Sequence, residues 1–253
     1  MDDPTQRFSR RVDNYVKYRP GYPPEVLALV QRACGLTPEA VIADIGAGTG
    51  RLAELFLAQG NRVLGVEPNR EMREAGARLL AGYPGYQAVD GRAEATTLPD
   101  ASVDFVTAGQ AFHWFDPVGA RAEFRRILRP GGWVVLVWNV RRTGSTPFLA
   151  GFEDLLRTYA PTYPAEQDEG SAEASIRALF GAAPWQTAHF ANAQHFDLAG
   201  LTGRLRSSSY APEPGDPTYT PLMDALAALF AAHAVNGQVT LEYDTEVFYG
   251  RLG

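Results

Sequence analysis

The stretch VIADIGAGTGRLAELF, residues 41–56, decides how this chain is read. Val41-Ile42-Ala43 is a short apolar run of strand character, and Arg51 to Phe56 carries apolar residues at helical spacing. Gly46, Gly48 and Gly50 stand at alternate positions between them. Glycine accepts positive φ and lets the backbone approach another group closely, so side chains here are expected to hold a ligand off. A strand–turn–helix with such a turn predicts a nucleoside-type ligand over the loop.

Outward from that stretch the pattern alternates. RLAELFLAQG predicts a helix that closes on Gly60, RVLGVEP a second strand, and NREMREAGARLLAG a second helix. YQAVDG and VDFVTAG read as a third and a fourth strand, and WVVLVWN as a fifth. PVGARAEFRRILRPGG predicts a helix opened by Pro117 and stopped by Gly131-Gly132. Strands alternating with helices pair in parallel and are covered on both faces. A nucleotide-type ligand then lies beyond the carboxyl ends of the strands, where the strand order reverses. On the flanks, RPGYPPEVLALVQRACG is a Pro-rich turn leading into a helix, and TPFLAGFEDLLRTYAPTY predicts another. EQDEGSAEASIRALFGAAPW reads as a polar loop and a short helix. QTAHFANAQHFDL and VTLEYDTEVFYGRL are strand-like, and LTGRLRSSSY and PLMDALAALFAAHAV between them are helix-like.

The bulk properties narrow the class. The chain has 253 residues, 45% of them hydrophobic and 21% charged, a composition that supports a full core. A formal net charge of -6 argues against a nucleic-acid surface, which needs a basic face. The single cysteine, Cys34, can form no internal disulfide and fits a reducing cytoplasm. The first fifteen residues lack the apolar core of a signal peptide, and WVVLVW is too short to span a bilayer, so a cytoplasmic protein is expected. His189, His195 and His233 show no metal-ligand spacing with one another or with Cys34, and no metal is expected.

Two kinds of adenosine-ligand sheet use a glycine-rich first turn. The dinucleotide fingerprint G-x-G-x-x-G/A needs a small last residue, and Arg51 stands there, so NAD or FAD fits poorly. The spacing G-x-G-x-G after Asp44 instead resembles motif I of the class I S-adenosylmethionine (SAM) methyltransferases. Further segments follow in the family's order: GVEPNREM is similar to its post-I segment, GRAEATTLPDASVDFV to its adenine-binding turn, and LRPGGWVVLVWN to the turn into its fifth strand. The resemblance covers roughly residues 8 to 140, and YDTEVFYGRL fits the family's last, antiparallel strand. It implies a Rossmann-like α/β fold: a seven-stranded, mostly parallel sheet with helices on both faces, the last strand antiparallel, and N-terminal and late helical lid segments. It implies one methyltransferase domain over 1–253, with a cap at 1–24, a SAM-binding core at 25–140, and the remaining sheet at 141–253 carrying a substrate-lid insert at about 200–238.

The resemblance also assigns candidate residues. The loop backbone at Gly46, Ala47, Gly48, Thr49 and Gly50 would wrap the methionine and ribose of SAM, with Asp44 positioning the loop. Glu67 would accept both ribose hydroxyls, and Pro68, Asn69 and Met72 would edge the adenine. Many relatives carry Asp or Thr where this chain has Arg92, so Ala93 backbone and Glu94 are the stronger candidates beside it for the adenine amino group. YVKYRPGYP and GQAFHWFD together resemble a branch that includes trans-aconitate methyltransferase-like proteins. In that branch the matching Tyr15, Tyr18 and Arg19 close over the cofactor, and the segment at Gln110 and Ala111 runs past the sulfonium. An Arg19 fork suits a carboxylate, and the tyrosines suit a cation, although core packing accounts equally for the rings. His113 has the chemistry of a general base and also that of a packing residue; Trp114 is the expected substrate contact. The expected activity is methyl transfer to a small molecule, a carboxylate or a hydroxyl among the options. A SAM-binding regulator without turnover is the alternative. Oligomeric state is not readable.

Overall fold

The computed structural model describes residues 16–163 and 169–253. Its elements run α1 (Pro24–Cys34), β1 (Val41–Ile45), α2 (Arg51–Leu57), β2 (Arg62–Val66), α3 (Arg70–Leu79), β3 (Tyr86–Val89) and β4 (Val103–Gly109). A 3₁₀ turn (Phe112–Trp114) leads into α4 (Pro117–Ile127) and β5 (Leu128–Arg141), followed by α5 (Pro147–Tyr159) and α6 (Glu169–Phe180). The chain continues through β6 (Trp185–Phe196), α7 (Leu198–Arg206), α8 (Tyr219–His233) and β7 (Val239–Gly250).

The strands form a 7-stranded sheet in the order β3-β2-β1-β4-β5-β7-β6. β1 to β5 pair in parallel, and β7 runs antiparallel to both β5 and β6. This is the expected Rossmann-like sheet with a reversed last strand. After β3 the chain crosses to the far side of β1, so the order reverses between β1 and β4. In sheets of this kind the ligand crevice lies at such a reversal, at the carboxyl ends of the two strands.

Local chemistry explains most element ends. Pro24 opens α1, and Gly35 closes it in the left-handed region at φ 71. Asn69 accepts from the Met72 amide to cap α3, and Asp116 accepts from Val118 and Gly119 to cap α4. One boundary departs from the sequence expectation: α4 ends at Ile127, and the fifth strand already begins at Leu128. Leu128 is extended (φ -70, ψ 137), pairs with Val103 and is buried, while a register shift before Phe105 absorbs the turn. Edge pairing and burial of Leu128 outweigh the helical pattern of FRRIL.

Two cores sandwich the sheet. α1 and α2 bury Val26, Leu52 and Phe56 against Ile42, Val63 and Val137 on one face. α4 and α6 bury Phe124, Ile127 and Leu179 against Ala43, Val106 and Leu136 on the other. A third core joins α5, α7 and α8 to Leu241 and Tyr243 of β7. Because β7 begins at the end where β5 and β6 finish, this third core sits over the carboxyl side of the sheet. Among the described residues no helix is long and apolar enough to cross a membrane.

Candidate functional site

The turn between β1 and α2 folds back over β2. Gly46 and Ala47 both donate to the Val66 carbonyl (2.8 and 3.1 Å), and Gly50 donates to Ala47 (2.8 Å). All three glycines have positive φ: 66 at Gly46, 56 at Gly48 and 83 at Gly50. A Cβ on Gly46 would stand 2.6 Å from the Ala111 Cβ, and one on Gly50 would stand 2.3 Å from Leu80. At those two positions the protein's own packing excludes a side chain; space for a ligand is a separate matter. At Gly48 the nearest atom is the Met72 methyl at 3.4 Å. Thr49 is buried, and its hydroxyl has no partner among the described residues.

Asp44 lies beneath this loop, 1% exposed. Its Oδ1 accepts from the Thr107 hydroxyl (2.8 Å) of β4, and the carboxylate also accepts from the Ala53 amide in the first turn of α2. Burial raises its pKa to about 7; the two hydrogen bonds oppose the rise, and the Glu67 charge adds to it. Asp44 thus ties β1, β4 and α2 together under the loop.

Glu67 follows β2 at the same end of the sheet. Its Oε2 accepts from the Gly48 amide (2.9 Å) and its Oε1 from the Asn69 amide (2.9 Å). Burial pushes its pKa up, against the pull of those amides and of Arg73. A carboxylate has about four acceptor positions. Two fixed amide bonds orient the group and leave one position on each oxygen, the arrangement a vicinal diol requires.

The other candidates are spread around this centre. Pro68 and Glu67 direct their carbonyls to Arg73 Nη1 (3.2 and 2.7 Å), while Asn69 and Met72 are buried at the start of α3. Arg92 and Ala95 exchange backbone hydrogen bonds in a tight turn that buries Ala93. One Glu94 oxygen accepts from the Asp116 amide (2.9 Å), which places it at the start of α4. Ala111 packs on Gly46. Gln110 has φ 56, unusual outside glycine, and its side chain donates to the Asn139 carbonyl (2.9 Å). His113 and Trp114 are exposed on the 3₁₀ turn with ring centroids 4.8 Å apart. The dense surroundings of His113 lower its pKa by desolvation even though solvent reaches the ring.

The N-terminal candidates are held by the late helices. Arg19 Nη2 donates to the Ser207 carbonyl (3.0 Å), and the Tyr18 ring fills the space a side chain on Gly203 would take. Both partners belong to α7 or its end. Arg51, the first residue of α2, donates to the Val16 carbonyl. Tyr15 lies outside the described residues. Among the described residues no group of three or more His, Cys, Asp or Glu converges on a metal-sized site. Sequence reasoning missed Thr107, Asn139, Asn192 and Thr245. The available signal was an isolated polar residue ending or interrupting an apolar strand, as Asn139 ends WVVLVWN.

Comparison with known proteins agrees with this geometry. Residues 43–136, from β1 to the middle of β5, match the family model described as a methyltransferase domain. This stretch is similar to methyltransferase domains. Uncharacterised methyltransferases of Mycobacterium tuberculosis and Mycobacterium bovis are 40% identical over 139 residues, 55% of this chain and 54% of each relative. One from Schizosaccharomyces pombe is 33% identical over 150 residues, 59% of this chain and 58% of that one. The chain therefore spans little more than half the length of these relatives. A solved structure of a proposed type II methyltransferase from Anaeromyxobacter dehalogenans aligns with 93% of this chain and 98% of its own at 25% identity, with a TM-score of 0.72. The methyltransferase fold thus extends well beyond residues 43–136, through the late helices and β7.

Proposed function

We propose that the chain transfers a methyl group from SAM to a small-molecule acceptor, a carboxylate or a hydroxyl. The observation that carries this reading is Glu67, held by the Gly48 and Asn69 amides with both oxygens still able to accept. The residues fit the cofactor: Glu67 would take the ribose diol, the backbone of residues 46–50 the methionine and ribose, and Met72 with Pro68 the adenine edge. The unpartnered Thr49 hydroxyl adds a polar group that a bound ligand can satisfy. Bound SAM supplies an electrophilic methyl on a sulfonium.

The work of the chain is to hold the acceptor in line with that methyl and to keep water out, worth up to about 7–11 kcal/mol in favourable intramolecular cases. The cap at 1–24 and the insert at about 200–238 would close the site, a role supported by the contacts of Tyr18 and Arg19 with α7. His113 would remove the proton from a hydroxyl acceptor; a carboxylate acceptor needs no base. Trp114 would line the acceptor side. The narrower likeness of YVKYRPGYP and GQAFHWFD to trans-aconitate methyltransferase-like proteins supports the small-molecule reading.

Incubation with methyl-labelled SAM and fractionated metabolite pools tests it. Label is expected in a low-molecular-weight product. Saturable SAM binding with no labelled product from any pool would instead favour a regulator without turnover.

A further inference from the structure

Asn139, near the carboxyl end of β5, joins four parts of the fold. Its Nδ2 donates to the Gly21 carbonyl (3.1 Å) of the N-terminal segment. Its Oδ1 accepts from the Thr245 hydroxyl (2.6 Å) on β7 and from Asn192 Nδ2 (3.0 Å) on β6. Its backbone carbonyl accepts from Gln110 Nε2 (2.9 Å) at the end of β4. Asn139 is 8% exposed and Thr245 is fully buried, so the bond between them is shielded from water, while the bond to exposed Gly21 lies at the edge of the network. The amide orientation follows from the network: turning Asn139 over would face its oxygen toward the Gly21 carbonyl and its nitrogen toward the Asn192 amide nitrogen.

The Gly21 carbonyl is held twice, since Asn192 Nδ2 also donates to it (2.9 Å). On the other side, Gln110 holds a positive φ that a non-glycine residue keeps only when its surroundings impose it. Two bonds impose it here: its amide donates to Val137 (2.9 Å), and its side chain donates to Asn139. Next to it, the Tyr22 hydroxyl occupies the space that a side chain on Gly109 would fill. The segment that enters the site from the N-terminus and the bend that ends β4 are therefore fastened to one residue.

We propose that Asn139 is a positioning residue that couples docking of the N-terminal segment to the conformation of Gln110, so that each favours cofactor binding at the other. The inference rests on the SAM reading of the site. Coupling of this kind is reciprocal: SAM must tighten the Gly21 contact by the factor by which that contact tightens SAM. Asn139→Asp keeps the shape and the acceptors but loses the donor to Gly21 and sets a charge against that carbonyl.

Calorimetry with SAM, paired with amide hydrogen exchange with and without SAM, tests the coupling. In the unaltered protein SAM should slow exchange both in residues 16–22 and in the loop at 46–50. In Asn139→Asp, SAM affinity should fall by roughly tenfold, and the slowing at 16–22 should vanish while that at 46–50 persists at saturation. Unchanged affinity with slowing retained at 16–22 would overturn the proposal. So would a variant that melts earlier but keeps the SAM-dependent slowing, since that is a structural role alone. If Asn139→Asp does not fold, Asn192→Ala removes the other donor to Gly21 from a half-buried position, and the same readouts decide. Absence of SAM binding by the unaltered protein would overturn the cofactor reading and the coupling together; binding with no effect of either variant overturns the coupling alone.

Discussion

Asp44 shows how a residue can tie three elements together and still cost stability when charged. Its pKa is about 7 in the fold, against 3.8 for an ordinary aspartate. Between those values the folded state binds more protons than the unfolded one, so stability falls as pH rises from about 4 to about 7, then levels. The decline amounts to about 4 kcal/mol at most. Urea unfolding of Asp44→Asn across that window should lack this slope; a slope equal to that of the unaltered protein would mean that another group carries it. His113 gives a kinetic counterpart. Its lowered pKa keeps the imidazole neutral at lower pH than usual, so if it acts as base, the acid limb of the pH–rate profile should fall below pH 6.5. His113→Asn should remove that limb. At this scale, residues with unusual chemistry for their position were legible: Asp44 in an apolar strand, Glu67 at a strand end. Thr107 and Asn139 were not, because a Thr or Asn at a strand end reads as ordinary until the fold brings its partners from sixty or more residues away.

For elements, the glycine loop was legible and its reason was only half legible. Spacing alone marks Gly46 and Gly50 as positions where a side chain cannot stand. Only the packing shows that Ala111 and Leu80 are what it would strike. Gly50→Ala should therefore destabilise the fold itself, by about 2–4 kcal/mol from a left-handed backbone and overpacking, as measured by urea unfolding. A stability equal to that of the unaltered chain would show that the loop relaxes freely. α4 ends before the expected stop at Gly131-Gly132, because helical periodicity continues through Leu128, while the strand partner that claims Leu128 is Val103, a contact no local pattern displays. Strands β1, β2, β4 and β7 were readable because buried positions fall as apolar runs or in strict alternation, as in β7.

Across the whole molecule, a third core caps the carboxyl side of the sheet, and a buried ion cluster secures it. Glu153 of α5 accepts from Arg141 of β5 (2.6 Å), Arg157 (3.0 Å) and Tyr163 (2.8 Å). Burial works to raise its pKa, but these hydrogen bonds outweigh it and hold the carboxyl below its usual value. Its stabilising share is thus present above about pH 4.5 and lost as pH falls. Glu153→Gln should destabilise by about 3–5 kcal/mol, because Arg141 is left buried without its counter-charge. This cap was visible in the sequence as helices without a destination; the side of the sheet they cover depends on β7 running backwards between β5 and β6. The acceptor was not legible, because the segments after the fifth strand carry no motif tied to a substrate class.

The account depends above all on a diol-gripping Glu67 beside the glycine loop. Isothermal titration of SAM into the unaltered protein and into Glu67→Gln measures this directly. One-site binding to the unaltered chain, weakened at least about tenfold by a substitution that turns an amide group toward the Gly48 N–H or the ribose hydroxyls, is the predicted result. Equal affinity for the two proteins would contradict it.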